Sequence, residues 1–290
     1  MEPTLKKIVL AGILLVPGSA SSYAADLPER TYTKASVAEA AYNWSGFYVG
    51  ANAGYVFKQR SVNYAPNNEV AHDLISPFPV SGPGDFVPQP PTALSARGFV
   101  GGAQIGYNWQ VNTQWLIGLE GDFNGPAIRT HGSNDYSIIG HRAANISADQ
   151  SVDWFGTLRG RLGFVPTSRL LVFGTAGLAY GRLAEAVTVS IPAGGAGGAG
   201  DGSRETCPAS SPACMAGSGS RTKTGWSAGG GVEYALGTNV TAKLEYLYVN
   251  LGTDVVTVLG LHPGTGIPAR ASAAFSTDFN VVRAGLNYRF

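Results

Sequence analysis

Charge is scarce in this chain. Asp, Glu, Lys and Arg supply 13% of its 290 residues, against about a quarter in soluble domains. The 20 basic and 19 acidic residues nearly cancel. That balance excludes a basic nucleic-acid binder, and so low a charge content excludes a disordered chain. Cysteine and methionine are down to two each. Long apolar runs are missing as well. Nothing approaches the roughly 20 residues that a membrane-crossing helix needs, and a mean hydropathy of +0.04 is too low for a polytopic helical protein. What is present is glycine (40), proline (17) and 10% aromatics within a 44% hydrophobic chain. Few charges, much glycine and many rings fit an all-β protein in an unusual solvent.

The first segment reads as an address. Lys6 and Lys7 precede the apolar run 8–16, Pro17 and Gly18 break it, and small residues follow to Ala24, Ala25 and Asp26. A basic start, a short apolar centre and a small-x-small site make a secretory signal cut after Ala24 or Ala25. An amphipathic first helix is the rival reading, and it fails because the run has no polar face. Residues 1–24 are therefore expected to be removed, 25–45 to form a periplasmic leader, and 46–290 to form the folded body. Loss of Glu2, Lys6 and Lys7 leaves the mature chain formally neutral.

Beyond the leader, hydrophobicity alternates with period two. Segments near 46–57, 97–110, 115–125, 151–165, 169–184, 224–235, 239–251 and 277–290 place bulky apolar residues against small or polar ones. Each is long enough to cross a bilayer as a tilted strand of about 9–11 residues. Connections at 111–114, 166–168 and 236–238 are tight. Those at 58–96, 126–150, 185–223 and 252–276 read as long Gly-, Pro-, Ser- and Ala-rich loops. The pattern predicts an eight-stranded antiparallel up-and-down transmembrane β-barrel with short periplasmic turns and four long extracellular loops.

Alternation alone does not say which face meets lipid; volume does. The apolar set contains seventeen aromatics, from Phe47, Tyr55, Phe57 and Phe99 to Tyr288 and Phe290. An eight-stranded barrel has an interior only wide enough for side chains to fill it, so the rings must face outward. Trp109 and Trp115 flank a short turn while Trp154 and Trp226 lie near long-loop ends, as interfacial girdles require. Glu120, Asp122, Arg159, Arg161, Glu233, Lys243, Glu245, Arg283 and Arg289 all fall on the inward register. Counted from the short turns, Glu120 and Asp122 lie level with Arg161 and Arg159, and Glu245 with Arg283. The expected result is a lumenal salt-bridge ladder. An acid/base pair or an ion path is the functional alternative to this satisfied polar core, but basic partners at matched depth favour the core.

Other motifs carry little chemistry. Cys207 and Cys214 lie in one long loop of an exported chain, so a disulfide is expected between them. His72, His131, His141 and His262 all fall in long loops and read as solvated unless they converge on a metal or haem iron. Residues 217–224 only mimic a phosphate-binding loop, because the Gly-Lys-Ser/Thr order is absent. No G-x-S-x-G elbow occurs. No cofactor, catalytic residue or metal site is expected.

Three stretches carry a resemblance. They are Ala25-Asp26-Leu27-Pro28, the run from Asn43, Trp44, Ser45, Gly46 and Phe47 to Tyr55, and the terminal Gly285-Leu286-Asn287-Tyr288-Arg289-Phe290. Together they are similar to the small outer-membrane β-barrel family of alphaproteobacteria, porin-like surface antigens related to the OmpA-type transmembrane domain. The resemblance implies a Gram-negative outer-membrane location among phospholipid and lipopolysaccharide. It also implies assembly through Phe290, which resembles the signal read by the barrel-assembly machinery. It implies no catalytic residues. Four functions are weighed: a structural, surface-exposed barrel; a narrow passive pore; capture of haemin or a host surface ligand through loop residues such as His72, Tyr64, His131 and Tyr136; and a lipid-modifying enzyme. A full lumen and loops of nearly balanced charge favour the first.

Overall fold

A computed structural model describes residues 42–71, 91–125, 128–138, 141–190, 213–261 and 266–290. The expected signal, most of the leader, His72, His262 and Cys207 lie outside these residues. Among the described residues nine strands follow one another: β1 (Gly46–Pro66), β2 (Thr92–Gln110), β3 (Trp115–Gly125), β4 (Ile128–Ile138), β5 (His141–Thr167), β6 (Leu170–Ser190), β7 (Met215–Ala235), β8 (Val240–Leu261) and β9 (Pro268–Arg289). All pairings are antiparallel between sequence neighbours, β1 closes on β9, and β5 pairs with both β3 and β4. The lower half of β5 meets β3 (Trp115↔Phe164 to Asn124↔Phe155) and its upper half meets β4 (Ile128↔Val152 onward). Strands β3 and β4 are thus two halves of one stave, one ending at Gly125 and the other beginning at Ile128. The barrel has the eight staves that the alternation implies.

The lipid-facing band is legible from its rings. Phe47, Tyr107, Trp109, Trp115, Phe164, Tyr234, Tyr288 and Phe290 ring the short-turn end, and all are exposed. Phe57, Phe99, Phe123 and Trp226 ring the other end, joined by the half-buried Trp154, Tyr180 and Tyr248. The ten residue steps from Phe47 to Phe57, at about 3.3 Å each and a tilt of about 40°, rise about 25 Å, the height of such a band.

Two expectations need correction. The segments expected to be long loops are in part strand. Strand β1 runs on to Pro66, β6 to Ser190 and β8 to Leu261, while β7 begins at Met215 and β9 at Pro268. Runs such as Val187-Thr188-Val189 and Val255-Val256-Thr257-Val258 carry strand propensity of their own, and small inward side chains such as Ala269, Ala271 and Ala273 let the strands pair there. The second correction concerns polarity. Apolar residues face outward only within the band. Above it the same tube has an apolar inside: on β6, Leu178 is 64% exposed, whereas Leu183 and Val187 are 1% exposed. The lower half is built for lipid and the upper half for water.

Strands β5 and β8 change phase at irregularities. On β5 the pairing with β6 jumps between Val152 and Trp154, so Val152 and Phe155 both point inward while Asp153 and Trp154 both face out. On β8 the pairing with β9 jumps between Asn250 and Thr253, at Gly252 with φ +81°, where an L side chain would be strained. One extra residue turns every later side chain to the other face.

Candidate functional site

The lumen is filled in layers, and these layers are the candidate site. At the periplasmic mouth the chain just before β1 turns inward. Trp44 is fully buried and packs with Leu116, Val165, Leu171, Phe173 and Ala235, with Tyr42 beside it. The Gln110 side chain accepts from the Trp44 backbone N–H (3.0 Å), and Arg289 donates to the Ser45 carbonyl (2.6 Å). The guanidinium of Arg289 lies 4.8 Å from the Tyr42 ring centroid. Residues 42–45, expected to be part of a leader, form a stopper. Alternation cannot reveal this, because the stopper precedes the first strand.

Above the stopper lies the charge cluster. Arg159 donates to Glu120 (2.6 Å), Asp122 (2.9 Å) and Glu245, and Arg283 donates to Asp122 (2.8 Å) and Glu245 (2.7 Å). Lys243 donates to both Glu120 oxygens at 2.9 Å. Arg161 donates to Glu233 from the far side and lies 4.0 Å from the Phe173 ring centroid. The Tyr48 hydroxyl donates to Glu120 (2.7 Å), and Asn287 donates to Glu233 (2.8 Å). Four acids therefore meet four bases, all buried, and charges kept from water in this way need such partners. All nine residues expected inward are buried, with Arg289 set apart at the stopper.

The predicted levels hold in part. Glu245 does pair with Arg283 across β8 and β9. Glu120, however, faces Arg159 and Asp122 faces Thr157, two residues away from the level counted from the turns. Closing a barrel staggers each strand against the next, so equal distances from a turn are not equal depths. The result is a knot across the lumen rather than a ladder up one wall.

Two apolar discs and a second polar layer complete the filling. Val56, Val100, Phe155, Leu247, Phe279 and Val281 close the tube directly above the charges. Val62, Leu94, Ile146, Val187, Met215 and Phe275 close it again near the outer end. Between the discs, Arg60 donates to Gln150 (2.6 Å), which donates in turn to Glu185 (3.0 Å) and Thr277 (2.8 Å). Burial pushes the Glu185 carboxyl above its usual range, against the pull of the Gln150 amide. A raised acid binds its proton more tightly folded than unfolded. Stability is therefore expected to decline as pH rises from the ordinary carboxylate range through the raised value. Glu185→Gln keeps the Gln150 contact and should flatten that decline, read as the urea midpoint across about pH 4 to 8.

Of the residues considered for metal or haem, the two whose side chains are described, Tyr64 and His131, do not come together. Tyr64 faces inward, its hydroxyl donating to Thr92 (2.9 Å), and burial lifts its pKa to about 12. His131 lies on the outer wall, 2.8 Å from Asp149. The side chains of Tyr136 and His141 lie outside the described residues. Among the described residues no group of three or more His, Cys, Asp or Glu could hold a metal ion. Cys214 is buried next to Met215, while its expected partner Cys207 is not among the described residues.

The family model for the outer membrane protein beta-barrel domain matches residues 14–290. A 31 kDa outer-membrane immunogenic protein of Brucella melitensis is 32% identical over 99% of this chain and all of its own length. A 25 kDa outer-membrane immunogenic protein of Brucella abortus is 25% identical over 99% of both chains. Among solved structures, the outer membrane protein OprG of Pseudomonas aeruginosa covers 86% of this chain and 99% of its own at 10% identity, with a TM-score of 0.40.

Proposed function

Since the chain belongs to the outer membrane protein beta-barrel domain family, and so is an integral β-barrel of the outer membrane, we propose that it serves as a closed structural barrel that holds a rigid wall above the cell surface. The observation that carries this reading is the layered lumen. Stopper, charge knot, apolar disc, polar layer and second disc lie one above another, which leaves neither an aqueous path nor room for a substrate at the carboxylates. Every acid in the knot has a basic partner at hydrogen-bond distance, which suits a satisfied core and not a general acid or base poised for chemistry.

The two remaining expectations about biogenesis belong to the same proposal. A signal at 1–24, cleaved after Ala24 or Ala25, would deliver the chain to the periplasm, and Phe290 would mark it for barrel assembly. In support of the second, the Phe290 ring is 71% exposed at the periplasmic girdle, and its N–H donates to Phe47 (3.1 Å), joining the last residue to the first strand.

Conductance tests the closed-barrel reading. Refolded protein in a planar phospholipid bilayer is expected to give no unitary current steps at either polarity. Regular, reproducible steps from protein that runs as a folded band on an unheated gel would overturn it.

A further inference from the structure

The outer wall of a barrel is convex, yet among the described residues a depression of about 690 Å³ interrupts it. That volume falls within the range of ligand sites, about 300–1,000 Å³. Two cross-strand rows build it. The lower is Arg129, Ser151, Ala184 and Ser220, and the upper is Asp149, Ala186 and Ser218. Arg129 and Asp149 stand at one side as charged groups, while Ser151, Ala184, Ala186, Ser218 and Ser220 carry only methyl and hydroxymethyl groups. The contrast makes a step, with small side chains as its floor. Below the floor, Asp153, pushed outward at the β5 irregularity, lies 3.7 Å from Arg182. Directly beneath that pair are Trp154 and Tyr180 of the upper girdle, with ring centroids 6.1 Å apart.

Position and chemistry together select an occupant. The depression begins where the lipid-facing band ends, at the height of outer-leaflet headgroups. Its charges are mixed: Arg129 offers a planar donor fork, with Arg182 just outside against Asp153, while Asp149, Asp153 and the Glu185 carboxyl offer acceptors. A phosphate site would show cations in excess, and this one does not. Hydroxyls both donate and accept, and a sugar ring presents many of them around a flat body that small side chains can support. The geometry points to a saccharide-binding step that seats the core oligosaccharide of an outer-leaflet glycolipid. This inference rests on reading the upper girdle as the outer membrane boundary.

The test uses the full mature chain in detergent and, as probe, soluble core oligosaccharide released from lipopolysaccharide, titrated by calorimetry. Saturable binding is expected. Ala186→Trp, which fills the floor, should weaken it by at least about tenfold. Ser61→Trp, on the outer face of β1 and away from β4 to β7, should leave it unchanged, and inorganic phosphate should not compete. Absence of saturable binding, equal loss in both variants, or displacement by phosphate alone would each overturn the inference. The boundary reading is checked separately in vesicles. Brominated acyl chains should quench the emission that Trp154→Phe removes, and failure there sinks the boundary whatever the titration gives.

Discussion

Arg159→Met is expected to cost about 3–5 kcal/mol of barrel stability, the usual penalty for removing one member of a buried ion network. The guanidinium holds Glu120, Asp122 and Glu245 at once, and its side chain is fully buried. Without it the knot keeps four acids against three bases in a space closed to water. Methionine fills much of the volume, so the loss is one of charge compensation more than of packing. The check is the urea midpoint in detergent, together with the fraction running as a compact band on an unheated gel. Arg159→Met with Glu245→Gln restores neutrality, leaving Arg283 on Asp122 and Lys243 on Glu120. The double variant should recover most of the loss. Should the single variant match wild type, the network contributes little and the lumen is held by its apolar discs.

The second large effect follows from the polarity change along the tube. Leu244 on β8 is 53% exposed within the lipid band, so Leu244→Arg should destabilise the protein in vesicles by about 2–4 kcal/mol. Higher on the same strand, Val255 is 52% exposed and Val256 is 3% exposed. Val255→Asp should change stability by no more than about 0.5 kcal/mol, as at other open surface sites. Val256→Asp places an unpaired carboxylate in the outer apolar disc, and the extracellular half should open, detectable as protease cleavage within 249–275 while the lipid-embedded half stays intact. If the two valines respond alike, the upper tube lacks an apolar inside.

Much of this molecule is legible in its residue pattern. The turns at 111–114 and 236–238, the inward charges and the outward rings follow from a two-residue period and from the small volume of the lumen. The strand ends do not follow, because an outward apolar face marks strand only inside the lipid band. Above the girdle that rule reverses: Leu183, Val187 and Val189 switch to the register that carries Thr175 below, and a search for one continuous face sees the pattern stop. The phase changes at Asp153 and Gly252 hide the outer parts of β5 and β8 in the same way. The stopper at Trp44 and the wall depression near Asp149 are beyond reach for another reason. Each depends on residues brought together from several staves, and alternation within a single strand carries no information about them.

A tube that continues well past the membrane has a consequence for whatever lands on it. From residue 58 outward β1 does not offer a continuous epitope. Gln59, Ser61 and Asn63 face the medium, while Arg60 and Val62 between them are turned into the core. A native footprint is therefore a mosaic of every second residue drawn from adjacent staves. An antiserum raised against a linear peptide of 58–66 learns side chains that the intact cell never displays.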